Sequence, residues 1–232
     1  MLRVDVMTLF PQMCAPAIES SILKRAIEKN ILKVKFHQIR DYAKGKHRKV
    51  DDSTYGPGKG MLLKAEPIAL CFESICKELK LRPYLIYMSP AGKRLNQEKV
   101  IGLKNYKNLA ILCGHYEGVD QRLIDSIVNE EISIGDYVLT GGELPAMVLI
   151  DSIARLIPGV LSSNECFEKE SHYNGLLEYP QYTKPRVWKG RNVPDILLSG
   201  NHKKIDIWQK KMAKLKTNLM TEQYKNNTKN ST

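Results

Sequence analysis

Apolar and polar positions alternate through Leu2-Arg3-Val4-Asp5-Val6-Met7-Thr8-Leu9, and Pro11 stops the run. This pattern predicts a strand. From Pro16 to Asn30 the apolar positions 18, 22, 23, 26 and 27 recur at helical spacing, with a proline in the first turn. Ile31 to Ile39 returns as a strand, so the chain opens β-α-β. Residues 41–60 lose the period and predict a loop. A helix is expected over Ala65–Leu81, a strand over Tyr84–Met88 ending at Ser89-Pro90-Ala91-Gly92, and a helix over Asn96–Leu103. Leu109–Cys113 predicts a strand, Val119–Val128 a helix, and Glu143–Leu156 another helix. Strands alternating with helices predict an α/β fold, a mostly parallel sheet with helices on both faces.

After Pro158 the texture changes. Ser162 to Asn174 is polar and reads as a mobile linker. Residues 175–217 hold Pro180, Pro185 and Pro194 and then an amphipathic basic helix from about His202 to Lys216. The expected organisation is an α/β domain over 1–160, a linker over 161–174, a small all-helical domain over 175–217 and a disordered tail over 218–232.

Two apolar runs end abruptly in glycines and carboxylates. One is Leu112-Cys113-Gly114-His115-Tyr116-Glu117-Gly118-Val119-Asp120. The other is Ile132-Ser133-Ile134-Gly135-Asp136-Tyr137-Val138-Leu139-Thr140-Gly141-Gly142-Glu143. Buried strands end this way when they feed a loop shaped for a ligand. The two together suggest one pocket, built mainly from main-chain groups.

Composition narrows the class. Of 232 residues, 43% are hydrophobic and 26% charged, an ordinary globular balance. The most apolar stretch, Pro145–Leu161, is interrupted by Asp151, Arg155 and Pro158, so no membrane span is expected. The N-terminus reads as a first strand and not as a signal peptide. The five cysteines lack C-x-x-C spacing, which argues against a disulfide scaffold or zinc site and fits a reducing cytoplasm. The net charge of +11 points to a polyanionic partner, most simply nucleic acid. Basic residues gather in Lys44–Lys49 and Lys184–Lys216, whereas 112–152 is mildly acidic.

Single motifs each carry two readings. Gly56-x-Gly58-x-Gly60 follows Asp51-Asp52-Ser53-Thr54 and not an apolar strand, which fails the dinucleotide context. It is a substrate-covering loop or a surface turn. Gly141-Gly142 ahead of Glu143 offers free backbone N–H groups or simply punctuates a strand and a helix. Glu117 is a loop cap or a ligand contact, and His115 a catalytic group or a loop histidine. Arg155, four residues after Asp151, suits an ion pair as well as a site. Trp188, Trp208 and Tyr182 stack on bases or anchor a small helical core.

Taken in order, the landmarks resemble a known family. They are Thr8-Leu9-Phe10-Pro11, Asp51-Asp52, Tyr55-Gly56, Gly60-Met61, Ser89-Pro90, Cys113-Gly114-x-Tyr116-Glu117-Gly118, Ile134–Leu139 with Gly141–Pro145, Ile157–Leu161, Tyr182-Thr183-x-Pro185, Val193-Pro194 and Leu197–His202. Over residues 1 to about 216 the chain is similar to the bacterial tRNA (guanine-N1-)-methyltransferases of the TrmD type, in the SPOUT or trefoil-knot superfamily. The resemblance implies a deep knot in the N-terminal domain, an exception to the rule against knots. It implies a homodimer with each active site shared between subunits, and a C-terminal domain that grips the anticodon branch of tRNA. Carried over residue by residue, S-adenosylmethionine would be held by Tyr87, Met88, Ser89, Pro90, Gly114, Tyr116, Gly118, Ser133, Ile134, Gly135, Asp136, Tyr137, Val138, Leu139, Gly141, Gly142 and Pro145.

The implied product is 1-methylguanosine at tRNA position 37, preceded by guanosine at 36. By the same resemblance Arg155 would stabilise charge on guanine O6 and Glu117 would hold the amino edge. The general base is usually an aspartate. Here the corresponding linker position is Glu170, in Glu170-Ser171-His172, with Glu168 and His172 as the other candidates. Pro57 and Lys59 also depart from the usual glycine-rich loop. Magnesium dependence is compatible with the resemblance, but no ligand cluster places a metal. The other readings are a non-catalytic knotted RNA-binding protein and a related RNA methyltransferase with a different target nucleotide.

Overall fold

The computed structural model describes residues 1–57, 60–163 and 170–229, with side chains through 223. The chain divides into two compact units, Met1–Ser163 and Asn164–Thr232.

In the first unit the strands are β1 (Leu2–Thr8), β2 (Leu32–Gln38), β3 (Asp51–Ser53), β4 (Met61–Leu63), β5 (Tyr84–Arg94), β6 (Asn108–Cys113) and β7 (Glu130–Ser133). Its helices are α1 (Pro11–Ile18), α2 (Ser21–Glu28), α3 (Ala65–Leu79), α4 (Gln97–Leu103), α5 (Gln121–Ile127) and α6 (Glu143–Ala154). Five strands form one sheet in the order β2-β1-β6-β5-β7, and every pairing is parallel. All seven residues of β1 are buried, as expected for a strand covered on both faces. Successive side chains point to opposite faces. Met7, Leu85, Tyr87, Ala110 and Leu112 share one core with Ile68, Cys71, Phe72 and Ile75 of α3 and Leu123 of α5. The alternate set, Val4, Val6, Ile86 and Ile111, is equally buried, and α6 packs on β1, β6, α1 and α4. The expected α/β sheet with helices on both faces is what the chain forms.

Four elements differ from the sequence reading. The single helix expected over 16–30 is two. Pro11, expected only to stop a strand, is the first residue of α1, where its missing N–H costs nothing. Pro16 falls inside α1, which ends within three residues, and the chain re-enters a helix at Ser21 with φ of 51°. A 3₁₀ turn, Ile39–Tyr42, leads into the loop expected over 41–60, and β3 pairs antiparallel with β4 across its end. Strands of three residues are too short to show a period. β5 does not stop at Ser89-Pro90. It continues to Arg94, and a register shift between Met88 and Lys93 lets both halves pair with β7.

The fourth difference is in the second unit, which is not all-helical. β8 (Val187–Trp188) and β9 (Arg191–Asn192) form a hairpin turned through Lys189 and Gly190, both at positive φ. It precedes α7 (Asp195–Leu198) and α8 (His202–Lys229). α8 runs beyond Lys216, where the sequence pattern ended.

Candidate active site

The carboxyl ends of β5, β6 and β7 converge, and the loops that leave them enclose a cleft of about 370 Å³. β6 is fully buried from Leu109 to Cys113, then breaks at Gly114. The loop turns through Tyr116 and Gly118, both at positive φ, and Asp120 caps α5 by accepting from the Arg122 backbone N–H at 3.0 Å. β7 ends at Ser133, whose hydroxyl bonds to both the carbonyl (2.9 Å) and the N–H (3.2 Å) of Gly135. The second loop then returns to the first. Gly142 N–H donates to Gly114 O at 2.9 Å, and His115 and Gly141 form an antiparallel bridge. A Cβ on Gly142 would stand 2.7 Å from Cys113 Cα and 2.8 Å from Gly114 N, so only glycine permits this approach.

The cleft gathers nearly every residue named for it. Tyr87, Met88, Ser89 and Pro90 come from β5. Gly114, Tyr116 and Gly118 come from the first loop, and Glu117 lies beside them. Ser133, Ile134, Gly135, Tyr137, Val138, Leu139, Gly141 and Gly142 come from the second loop, and Pro145 from the first turn of α6. Asp136 is the exception. Its exposed carboxylate pairs with Arg94 and does not line the cleft. Sequence reasoning left out Ala91, Ile132 and Thr140, which also line it. Each adjoins a named residue, so extending each block by one position would have found them.

Two ionisable groups at or behind the cleft wall are held uncharged. Burial, and then the Glu131 charge, pushes the Tyr87 phenol up to about 12, so it is neutral. Burial pushes the Cys113 thiol well above its ordinary range, with Glu143 and Cys14 adding to it, which leaves it unreactive. The loops bring the side chains of His115, Glu117, Ser133 and Thr140 to the cleft beside their backbone groups. Among the described residues no group of three or more His, Cys, Asp or Glu is arranged to hold a metal ion. No described helix is long and apolar enough to cross a membrane.

Glu117 is exposed on the rim, and β4 is stitched to its loop. Glu117 N–H donates to Met61 O at 3.0 Å, Leu63 N–H to Gly118 O at 2.9 Å, and Asp120 N–H to Leu63 O at 3.1 Å. The β3–β4 hairpin is thereby fixed to the edge of the cleft. Arg155 is half-buried at the C-terminal end of α6. Glu170 belongs to the second unit. It opens a turn in which Tyr173 N–H donates to Glu170 O at 3.4 Å and His172 N–H to Leu176 O at 2.8 Å, with His172 at positive φ. The Glu178 N–H donates to Ser171 Oγ at 2.9 Å and closes the turn. Glu168 lies outside the described residues, as do Gly58 and Lys59.

A parallel sheet with a cleft at its carboxyl ends defines an α/β protein of the kind that binds a small ligand in its strand-end loops. Comparison narrows this. The family model described as tRNA (Guanine-1)-methyltransferase TrmD matches residues 2–226. A tRNA (guanine-N(1)-)-methyltransferase of Alkaliphilus oremlandii is 56% identical over 215 residues, covering 90% of this chain and 86% of that protein. A protein of the same name from Clostridioides difficile is 51% identical, covering 90% and 91%. The crystal structure of the tRNA (m1G37) methyltransferase of Aquifex aeolicus superposes with a TM-score of 0.75 at 39% identity, covering 89% of this chain and 87% of that one. The chain belongs to the TrmD family of tRNA (guanine-1)-methyltransferases.

Proposed function

We propose that the protein methylates guanine N1 at position 37 of tRNA, using S-adenosylmethionine, and so makes 1-methylguanosine. The observation that carries this reading is the cleft formed where the two glycine loops meet. At about 370 Å³ it falls in the size range of small-molecule sites, roughly 300–1,000 Å³. Its lining sets polar groups, among them Ser89, Ser133 and Glu117, beside the apolar Met88, Pro90, Ile134 and Leu139, which suits a nucleoside. When bound there, S-adenosylmethionine supplies a methyl group activated by a positively charged sulfur.

The chain's own residues deal with the guanine. Its N1 carries a proton at neutral pH and is a poor nucleophile, so a general base is required. Glu170 takes that proton. Negative charge then builds on O6, and the Arg155 guanidinium stabilises it. Glu117 accepts hydrogen bonds from the amino edge and fixes the base in register. The N1–methyl bond forms as the sulfur–methyl bond breaks, and the proton ends on the Glu170 carboxylate.

The first unit is knotted, two copies of the chain share each active site, and the basic second unit holds the anticodon branch, all in the cytoplasm. The test uses methyl-labelled S-adenosylmethionine, magnesium and two tRNA transcripts. One has guanosine at 36 and 37, and the other has adenosine at 37. Label released as 1-methylguanosine from the first alone is the expected result. Cofactor binding with no label on either transcript would instead favour a non-catalytic RNA-binding protein.

A further inference from the structure

His115 lines the cleft, but the chemistry above gives it no task. Its ring is held between Phe10, at a centroid separation of 5.0 Å, and Tyr116, at 4.9 Å. Its Nδ1 is buried and has no hydrogen-bond partner among the described residues. Leaving such an atom unpaired costs about 1–3 kcal/mol. Because Nδ1 is buried, a ligand in the cleft does not reach it, and its partner has to come from the protein.

Glu143 is the group in position. Its side chain is 2% exposed at the first turn of α6 and does not line the cleft. Oε1 accepts from Thr8 Oγ1 at 2.7 Å. Oε2 faces Gly141. A Cβ placed on Gly141 would stand 2.4 Å from Glu143 Oε2 and 2.8 Å from His115 Nδ1. Gly141 is thus the spacer between a buried carboxylate and an orphaned imidazole nitrogen. The Glu143 charge is already felt by its neighbours: after burial, it is what pushes the Cys14 thiol up, to about 11.

We propose that Glu143 is a positioning residue of the cleft, acting through His115: when an adenosyl ligand seats against the second glycine loop, His115 Nδ1–H donates to Glu143 Oε2 and locks the two loops together. The pair joins β1, through Thr8, to both loops at the point where the Gly142–Gly114 hydrogen bond already ties them. A carboxylate behind the ring selects the Nδ1–H tautomer. Any side chain at 141 would occupy the space the pair needs. This inference rests on the cleft being the cofactor site.

The test is nitrogen NMR of the full-length protein with labelled histidine, the His115 ring assigned through bonds. Spectra are recorded free and with saturating S-adenosylhomocysteine, and calorimetry on the same sample measures binding. Ligand binding should move Nδ1 of His115 from the unprotonated to the protonated, hydrogen-bonded range. Glu143→Gln, which keeps an acceptor for Thr8, should abolish that shift. It should also raise the KM for S-adenosylmethionine roughly tenfold, as for one lost hydrogen bond. The KM for tRNA and the melting temperature should move little, whereas a purely structural role would lower the melting temperature and leave Nδ1 responsive. Binding without an Nδ1 shift overturns the pairing and spares the cofactor site. Absence of binding overturns both.

Discussion

Two side chains carry the proton and the charge of the proposed reaction, and each can be removed alone. Glu170→Gln removes the proton acceptor and keeps the shape. Its kcat should fall by about 10²–10⁴, the usual worth of a positioned base, while cofactor affinity measured by calorimetry stays put. Near-normal turnover would move the base to another residue. Arg155→Ala should also lower kcat, by about 10²–10³, because charge on O6 exists only as the proton leaves. Gly142 makes a steric prediction. In Gly142→Ala the new methyl would meet Cys113 Cα and Gly114 N, backbone atoms that cannot rotate away. The variant should lose about 1–3 kcal/mol in denaturant unfolding and bind the cofactor more weakly, because the strain sits at the junction of the two loops. The two glycine loops of this cleft could be read from sequence because each is a contiguous block at a strand end, whereas Tyr87–Pro90 and Pro145 followed from the family resemblance. Asp136 shows where that reading stops. It lies inside such a block, yet its side chain turns out to Arg94, and residue order alone does not say which way a loop side chain points. His115 shows the reverse, since only its buried and unpaired Nδ1 distinguishes it from any loop histidine.

At the scale of elements, long strongly periodic segments were legible and short ones were not. α3, α4 and the buried strand β6 follow their apolar patterns to within a few residues. The break between α1 and α2, the β3–β4 and β8–β9 hairpins and the second half of β5 rest on one turn, two or three pairings, or a register shift. The order β2-β1-β6-β5-β7 was out of reach, because the apolar pattern of a strand does not say which strand it lies beside. The start of α5 was misplaced, because the pattern put Asp120 inside a helix beginning at Val119, whereas the structure makes it the cap. Asp120 precedes α5 and bonds to the Arg122 N–H. Asp120→Ala should cost about 1 kcal/mol of stability, and it should loosen the first glycine loop, which ends at this residue. Melting temperature and cofactor affinity should fall together. The polar end of β1 gives a pH prediction. Asp5 is fully buried between Arg3, at 2.8 Å, and His37, at 2.8 Å. Burial alone would raise its carboxyl, but the hydrogen bonds from His37 and Arg3 win and hold it below the ordinary carboxylate range. A depressed folded-state pKa contributes stability that is full above the unfolded value of about 3.9 and is lost as pH falls through the folded value. Acid unfolding should therefore steepen below about pH 4, and Asp5→Asn should flatten that limb while lowering stability at neutral pH. Equal acid limbs for the two proteins would remove Asp5 from the account.

At the scale of the whole molecule, net charge and its distribution decide how a polyanion is met. The chain carries +11, yet its cleft loops are carboxylate-bearing and its cationic side chains are elsewhere. α8 presents Lys203, Lys204, Lys211 and Lys214 to solvent, and its apolar positions Ile205, Trp208, Met212 and Ala213 recur at helical spacing. One stripe is spent on packing and the other is free for phosphate. Lys210 differs, since it already pairs with Asp206 at 2.8 Å. A helix used this way binds by releasing counterions, so affinity should fall linearly in log–log form with salt, each phosphate contact contributing a slope of about 0.7–0.9. Changing Lys203, Lys204, Lys211 and Lys214 to glutamine should raise the KM for tRNA and make the salt dependence shallower by at least one such contact. The KM for S-adenosylmethionine should be unaffected, because the described residues that line the cleft belong to the first unit. Filter binding across a salt series and two-substrate kinetics measure these effects separately. An unchanged salt slope would mean that the tRNA backbone is held by other cations, with Lys44–Lys49 the next group to neutralise. A simultaneous rise in both KM values would mean that the second unit also shapes the cofactor site, and that substrate recruitment and cofactor binding are not carried by separate parts of the chain.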